Sequence, residues 1–258
     1  MSTHNCRTRA VAVTVVLVAL GFGLGSIGLL PTSQAASSAP QPSARVVGPL
    51  TRDPASPTLA KVESVFKTMS TTVYAHRYVI NTTTGYYAWD CVGMADWVLH
   101  RAAPNAWRDM HETLRIRPGF VPTPTRWANY LAGANGTLPA SDWARIKTIS
   151  ALEPGDYLLF PANPKVHFVG HAVIAAGPPR LMPDGSYALR VFDSTGSAHG
   201  SADSRLTDPR AVNHSGLGNG TMRIFVSRSG ALRRAKWSIN AGGPSMVGVP
   251  VIAGRALR

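Results

Sequence analysis

The sequence predicts an α+β fold in which helices come first and a mainly antiparallel sheet follows. Up to about residue 140 the apolar residues recur at three- and four-residue steps, which is the period of a helix that packs on a core. After Ala140 they form short β runs separated by turn sequences such as Pro154-Gly155-Asp156. Helices followed by strands on short connections favour α+β over a doubly wound parallel sheet.

Four helices are predicted in the first part of the chain. The first begins near Thr58, and its apolar face comprises Leu59, Val62, Phe66, Met69 and Val73. After a loop or short strand at 76–89, Asp90 occupies the N-cap of a second helix, which Pro104 ends. The other two are predicted at Asn105–Leu114 and Thr125–Leu131.

Six strands are predicted after residue 140, each a short apolar run bounded by turn residues. They cover Ala144–Ile149, Tyr157–Phe160, Val169–Ala176, Tyr187–Phe192, Met222–Val226 and Val247–Ala253. The glycine-rich stretch from Gly216 to Gly220 is interpreted as a turn.

The N-terminus has the pattern of a secretory signal. Arg7 and Arg9 precede an apolar run at Ala10–Leu30, and the small residues Ser33 and Ala35 follow. This order favours export with cleavage after Ala35. The apolar run also has the ~20 residues that a bilayer-spanning helix needs, so an uncleaved membrane anchor remains an alternative.

Either way, the rest of the chain is expected outside the cytoplasm, secreted or associated with a cell wall. We predict a signal peptide at 1–35, a Ser/Pro/Ala-rich linker at 36–57 and one catalytic domain at 58–258. Roles in cytosolic metabolism and in the nucleus are thereby excluded.

The charge indicates what the exported domain contacts. The chain has 26 Lys+Arg against 13 Asp+Glu, a formal net charge of +13. A charge of this size attracts polyanions. The basic residues are scattered and do not interleave with stacking aromatics, so no specific nucleic acid is expected. Peptidoglycan or another anionic cell-wall polymer is the simpler partner, and a role in solubility alone is the alternative.

No cofactor and no metal is predicted, because the GxGxxG, GxxxxGK[ST], HExxH and paired CxxC patterns do not occur. The chemistry is expected at Cys91, since Cys6 belongs to the signal. Cys91 lies in the first turn of the predicted helix capped by Asp90, where the helix dipole lowers a thiol pKa from about 8.5 and free N–H groups can bind an oxyanion. Gly93 is expected to leave room for substrate. A buried core cysteine is the alternative.

His171 and Asp193 are the candidate partners of the thiol. His171 opens a predicted strand, where its imidazole can act as general base and then as general acid. Asp193 ends the next strand, and antiparallel pairing returns it beside His171, where it can fix the imidazole tautomer. A core histidine and a strand-ending turn are the alternatives for these two residues.

Three motifs in this order resemble the NlpC family of cell-wall cysteine peptidases. They are Asp90-Cys91-x-Gly93, Leu152-Glu-Pro-Gly-Asp156 and Gly170-His171-Ala-Val-Ile-Ala-Ala-Gly177. The resemblance implies a papain-like fold and hydrolysis of amide bonds in peptidoglycan stem peptides through a thioester.

The same resemblance implies roles for single residues. Cys91 would be the nucleophile, His171 the base and Asp193 the orienting residue. Tyr86 or Tyr87 would supply an upstream tyrosine at the oxyanion site, next to Asp90 and Gly93.

Other classes fit part of the pattern. His171-Ala followed by Phe192-Asp193-Ser-Thr195 is also similar to the transglutaminase-like superfamily, and Gly170-His171 fits the CHAP amidases. A non-catalytic cell-wall-binding protein on the same scaffold is the alternative of a different class.

Overall fold

The structure is a computed structural model that describes residues 56–133, 142–240 and 243–257. The predicted signal and the predicted linker up to residue 55 lie outside the described residues. Within the described ranges, no helix combines the length and the apolar composition needed to cross a membrane.

Among the described residues, four helices precede the large sheet, as predicted. They are α1 (Pro57–Thr68), α2 (Cys91–Ala102), α3 (Pro104–Thr113) and α4 (Pro124–Ala132). Proline occupies the first turn of α1, α3 and α4, where its missing N–H costs nothing. Asp90 caps α2 as predicted, because its side chain accepts the N–H of Gly93.

A small sheet lies between α1 and α2, where the sequence predicted a loop or a short strand. It contains β1 (Thr71–Tyr74), β2 (Val79–Asn81) and β3 (Tyr86–Trp89), in the order β1-β3-β2. Val73, which was predicted to continue the first helix, pairs with Ala88 in this sheet. The helix ends earlier because Met69 adopts an extended conformation.

In the part of the chain that the structure describes, the large sheet has eight strands, and all of its pairs are antiparallel. The strand order is β10-β9-β8-β6-β5-β11-β4, with β7 paired to β8. The strands are β4 (Trp143–Ile146), β5 (Tyr157–Phe160), β6 (His171–Ala175), β7 (Arg180–Leu181), β8 (Tyr187–Thr195), β9 (Gly216–Val226), β10 (Leu232–Lys236) and β11 (Ile252–Ala256). The predicted α+β fold, with a cysteine at a helix start packed on a mainly antiparallel sheet, is confirmed.

Several strand predictions were wrong in detail. The stretch Gly216–Gly220, interpreted as a turn, is the first half of β9, and β10 was not predicted at all. β10 carries three exposed basic side chains and one buried residue, Ala235, so it lacks the apolar alternation of a half-buried strand. The last strand begins at Ile252 rather than Val247.

The core occupies both faces of the large sheet. Leu159 and Ile174 belong to the cluster shared with the helices, whereas Leu158 and Val173 belong to the cluster on the opposite face. Alternate side chains of a strand point to opposite faces, and both faces are covered, so β5 and β6 are buried throughout.

The segment Leu152-Glu-Pro-Gly-Asp156 has a structural role. Asp156 is buried, accepts the N–H of Glu153 and receives two hydrogen bonds from Arg255 of β11. The N–H of Gly155 donates to the carbonyl of Ala175. The motif therefore fixes the start of β5 against β6 and β11, the strands beside the candidate site.

Candidate active site

Cys91 is the first residue of α2 and is buried, with 5% of its surface exposed. α2 packs on β6, and the backbone N–H of Ala172 lies close enough to the Cys91 sulfur to offset part of the rise in the thiol pKa. The thiol therefore lies against the start of β6, one residue from His171.

His171 and Asp193 meet as the sequence predicted. β6 and β8 run antiparallel with Ile174 opposite Phe192, and this register returns Asp193 to the His171 end. His171 Nε2 lies 2.6 Å from Asp193 Oδ2, and both side chains are buried. Because the carboxylate takes the Nε2 hydrogen, a neutral His171 has its lone pair on Nδ1. That nitrogen is the one left for proton transfer.

Within the described residues no hydrogen bond joins the Cys91 sulfur to the His171 ring. The structure thus pairs His171 directly with Asp193, whereas Cys91 lies beside the backbone of Ala172, the residue after His171. Catalytic hydrogen bonds are often long before substrate binds and tighten in the substrate complex.

Asp193 is surrounded by cationic and donor groups that the sequence analysis missed. Arg205 donates to Oδ1 and to the backbone carbonyl of Asp193, and His199 Nε2 lies 2.9 Å from Oδ2. Burial alone would raise the pKa of this carboxyl, but Arg205, His199 and His171 together hold the pKa well below its usual range. Asp193 is therefore an ionised carboxylate despite its burial.

Two glycines of β9 make room for this cluster. Gly218 pairs directly with Asp193, and a Cβ at Gly218 would lie 2.5 Å from Arg205 Cγ. A Cβ at Gly220 would lie 2.5 Å from Asp203 Oδ2. Glycine inside a strand indicates the close approach of another group. Glycine at every second position from Gly216 to Gly220 was thus the signal in the sequence for the missed cluster.

Trp237 covers the two imidazoles. Its ring centroid lies 4.8 Å from that of His171 and 4.2 Å from that of His199. The indole Nε1 donates to the carbonyls of Ser197 and Ala198, so the ring is fixed in place. The Trp237 indole therefore restricts rotation of His171.

The placement of Tyr86 or Tyr87 at the oxyanion site stays a prediction. Tyr87 is buried against Trp89, with ring centroids 4.7 Å apart, and burial raises the Tyr87 pKa. Among the described residues no hydrogen bond joins Tyr86 or Tyr87 to Cys91. Consecutive residues of β3 point to opposite faces, so Tyr86 and Tyr87 do not both face the thiol.

Tyr74 and Tyr78 lie near the thiol instead. Tyr78 Oη is 3.1 Å from both carboxylate oxygens of Asp90, and burial followed by the Asp90 charge raises the Tyr78 pKa. Burial, with the charges of Cys91 and Asp90, raises the pKa of Tyr74 to about 12. Both phenols are therefore neutral at physiological pH.

Gly93 was predicted to leave room for substrate, but Tyr78 occupies the space beside it. A Cβ at Gly93 would lie 2.4 Å from Tyr78 Cε1, so the tyrosine ring fills that space. The Gly93 N–H is also occupied, since it donates to Asp90 Oδ1 at 2.8 Å. Asp90 and Gly93 thus build the start of α2 and hold Tyr78.

The prediction of a lowered thiol pKa was also wrong. Burial raises the pKa of Cys91, the negative charges of Asp90 and Asp193 add to this, and the N–H groups of Ala172 and Val92 offset only part of it. Burial likewise lowers the pKa of His171. At rest, the Cys91 thiol and the His171 imidazole are therefore both neutral. If Cys91 acts as a nucleophile, the thiol has to transfer its proton as the sulfur attacks the substrate.

His171, Asp193 and His199 are the described residues whose ligand atoms could surround a metal ion, since these atoms lie within 4.8 Å of one another. The distances of 2.6 and 2.9 Å from the two imidazoles to Asp193 Oδ2 are those of hydrogen bonds. The Arg205 guanidinium on the same carboxylate would also repel a cation. The arrangement fits a hydrogen-bonded cluster better than a metal centre.

Comparisons with known proteins give distant relatives. No family model matches the chain. It is 26% identical over 167 residues to "Uncharacterized protein R653" of Acanthamoeba polyphaga mimivirus, covering 58% of this chain and 69% of that protein. Its structure is similar to the crystal structure of the wild-type endolysin LysIME-EF1, with a TM-score of 0.37 and 14% identity. That match covers 78% of this chain and 65% of the endolysin chain, and it carries no argument about activity.

Gly218→Ala should destabilise the protein, because the new methyl group would meet the buried Arg205 side chain. We expect the free energy of unfolding to fall by about 1–3 kcal/mol, as for overpacked cores. Urea denaturation followed by tryptophan fluorescence measures it. Gly177→Ala is the matched control, since a Cβ there meets nothing within 4 Å. Equal stability of the two variants would contradict the close packing of Arg205 on β9.

Alkylation of Cys91 by iodoacetamide should be slow at neutral pH, because burial raises the thiol pKa and little thiolate is present. We expect the rate to increase only above pH ~8.5, the usual pKa of a free thiol. The urea-unfolded protein is the control and should react at the rate of an ordinary cysteine. Rapid reaction of the folded protein below pH 7 would instead indicate a stabilised thiolate.

Proposed function

We propose that the protein is an exported cysteine hydrolase that cleaves amide bonds in peptidoglycan stem peptides. The observation that carries the proposal is the buried His171–Asp193 pair, adjacent in sequence to Ala172, whose backbone N–H lies close to the Cys91 sulfur. The resemblance of the three sequence motifs to the NlpC family supplies the substrate class.

The proposed reaction begins from the neutral pair. As the Cys91 sulfur attacks the amide carbon, its proton passes to Nδ1 of His171, and Asp193 stabilises the imidazolium through Nε2. The imidazolium then donates that proton to the leaving nitrogen, and a thioester remains on Cys91. Water attacks the thioester, giving one proton to His171, which returns it to the departing sulfur. The backbone N–H of Cys91, at the start of α2, would stabilise the oxyanion.

A basic surface beside the site supports an anionic polymer as the partner. Arg223, Arg234 and Lys236 lie 5.4, 4.5 and 5.9 Å from the Phe225 ring centroid, on β9 and β10. They line a cavity of about 490 Å³ that Trp237 also borders. Because Trp237 packs on His171, a wall polymer bound there would lie close to His171.

A non-catalytic wall-binding protein is the second candidate. The burial of Cys91, its raised pKa and the missing hydrogen bond to the His171 ring favour it. In that case the basic surface would carry the function and Cys91 would be a core residue.

Incubation with purified peptidoglycan, with the soluble fragments identified by mass spectrometry, tests the proposal. The wild type should release peptide fragments, Cys91→Ala should release none, and His171→Ala should slow release by a factor of about 10²–10⁴. His100→Ala, which removes an exposed imidazole from the same helix as Cys91, should retain the wild-type rate.

Equal release by the wild type and Cys91→Ala would contradict a cysteine hydrolase. Sedimentation of both proteins with the insoluble wall separates the two candidates. Binding without any release by the wild type would assign the wall-binding function instead.

A further inference from the structure

His199 has a hydrogen-bond acceptor at each of its ring nitrogens. Nδ1 lies 2.6 Å from the carbonyl oxygen of Trp237, and Nε2 lies 2.9 Å from Asp193 Oδ2. The His199 and Asp193 side chains have no solvent exposure, so water replaces neither contact. A neutral imidazole has only one N–H and could donate to only one of the two oxygens.

The alternative is a proton on Asp193, and its surroundings oppose it. The Arg205 guanidinium bonds Oδ1 and the Asp193 backbone carbonyl, while His171 Nε2 bonds the same Oδ2 as His199. These contacts favour the ionised carboxylate, which can accept at both oxygens.

We propose that His199 is held as an imidazolium and acts as a positioning residue for His171, through the carboxylate oxygen that the two rings share. Both nitrogens of His199 then donate, one to the Trp237 carbonyl and one to Asp193. The ring links the end of β8 to the chain after β10 and fixes the Asp193 carboxylate in line with His171.

The charges around His199 balance in this state. The ionisable groups that face it are Asp193 on β8, Asp203 and Arg205 at the short 3-10 turn Ser204–Leu206, and His171 on β6. Asp203 accepts the backbone N–H of His199 at 2.8 Å and a hydrogen bond from Arg205 at 2.6 Å. Two carboxylates therefore face one guanidinium and one imidazolium. A neutral His199 would leave this buried cluster with a net negative charge.

The consequence for His171 concerns its basicity. Asp193 divides its negative charge among Arg205, His199 and His171, so it supports protonation of His171 less than an unshared carboxylate would. His171 is thereby kept neutral and ready to accept the thiol proton. This consequence rests on the proposed function, whereas the charge of His199 does not.

Nitrogen-15 NMR of the imidazole rings tests the charge directly. In the wild-type protein at pH 7, the His199 ring should show a bonded proton on both nitrogens and His171 a proton on Nε2 alone. The His199→Gln spectrum identifies the His199 signals by their loss. A neutral His199 at pH 7, with one nitrogen lacking a proton, would overturn the proposal whether or not the protein cleaves peptidoglycan.

Two variants test the positioning role. His199→Gln places an amide N–H₂ near the position of Nε2 and can still donate to Asp193, whereas His199→Asn places it near Nδ1 and retains only the Trp237 contact. In the peptidoglycan assay His199→Asn should lower kcat on the order of 10²-fold with little change in KM, and His199→Gln should retain more activity.

The pH profile separates positioning from packing. Loss of the His199 charge should raise the pKa of His171, so the acidic limb of kcat/KM should move to higher pH in His199→Gln. Equal losses in the two variants, with an unshifted profile, would mean that His199 has only a packing role. Circular dichroism confirms that each variant is folded before it is assayed.

Discussion

The buried negative charge of Asp193 is the constraint on which the rest of the site depends. A carboxylate without solvent exposure is costly unless it is paired and fully hydrogen-bonded. Here Arg205, His199 and His171 supply the partners, and they come from two parts of the chain, β6 and the segment between β8 and β9. β9 has glycine at 218 and 220 because the side chains of Arg205, Asp203 and His199 pack directly on its backbone. The orientation of His171 is thus a product of how the fold neutralises one carboxylate.

The same burial determines the chemistry available to Cys91. Desolvation outweighs the helix N-terminus, so the thiol keeps its proton, while desolvation of His171 keeps the imidazole neutral. A neutral pair can still perform acyl transfer, provided that the imidazole takes the proton as the sulfur attacks. It also leaves Cys91 less susceptible to oxidation than a stabilised thiolate would be.

The sequence was sufficient for features that depend on neighbouring residues. The Asp90 cap, the helix beginning at Cys91 and the alternation of β6 and β8 are local patterns, and they led to the His171–Asp193 pair. His199 and Arg205 lie in a segment whose apolar residues show no helix or strand period. Only tertiary packing brings these two residues to Asp193. The prediction of a lowered Cys91 pKa was wrong for a related reason. The helix dipole can be predicted from the local sequence, whereas the burial of the thiol depends on the whole fold.

The ionised state of Asp193 is the central claim, and a carbon-13 NMR titration of its carboxyl group measures it most directly. Because the folded-state pKa is depressed, the carboxyl signal should remain that of the ionised form well below pH ~3.9, the pKa of an unperturbed aspartate. The stability that the charge contributes should be present above that pH and be lost as the pH falls through the folded-state value. Titration of Asp193 at or above pH ~3.9 in the folded protein would contradict the account.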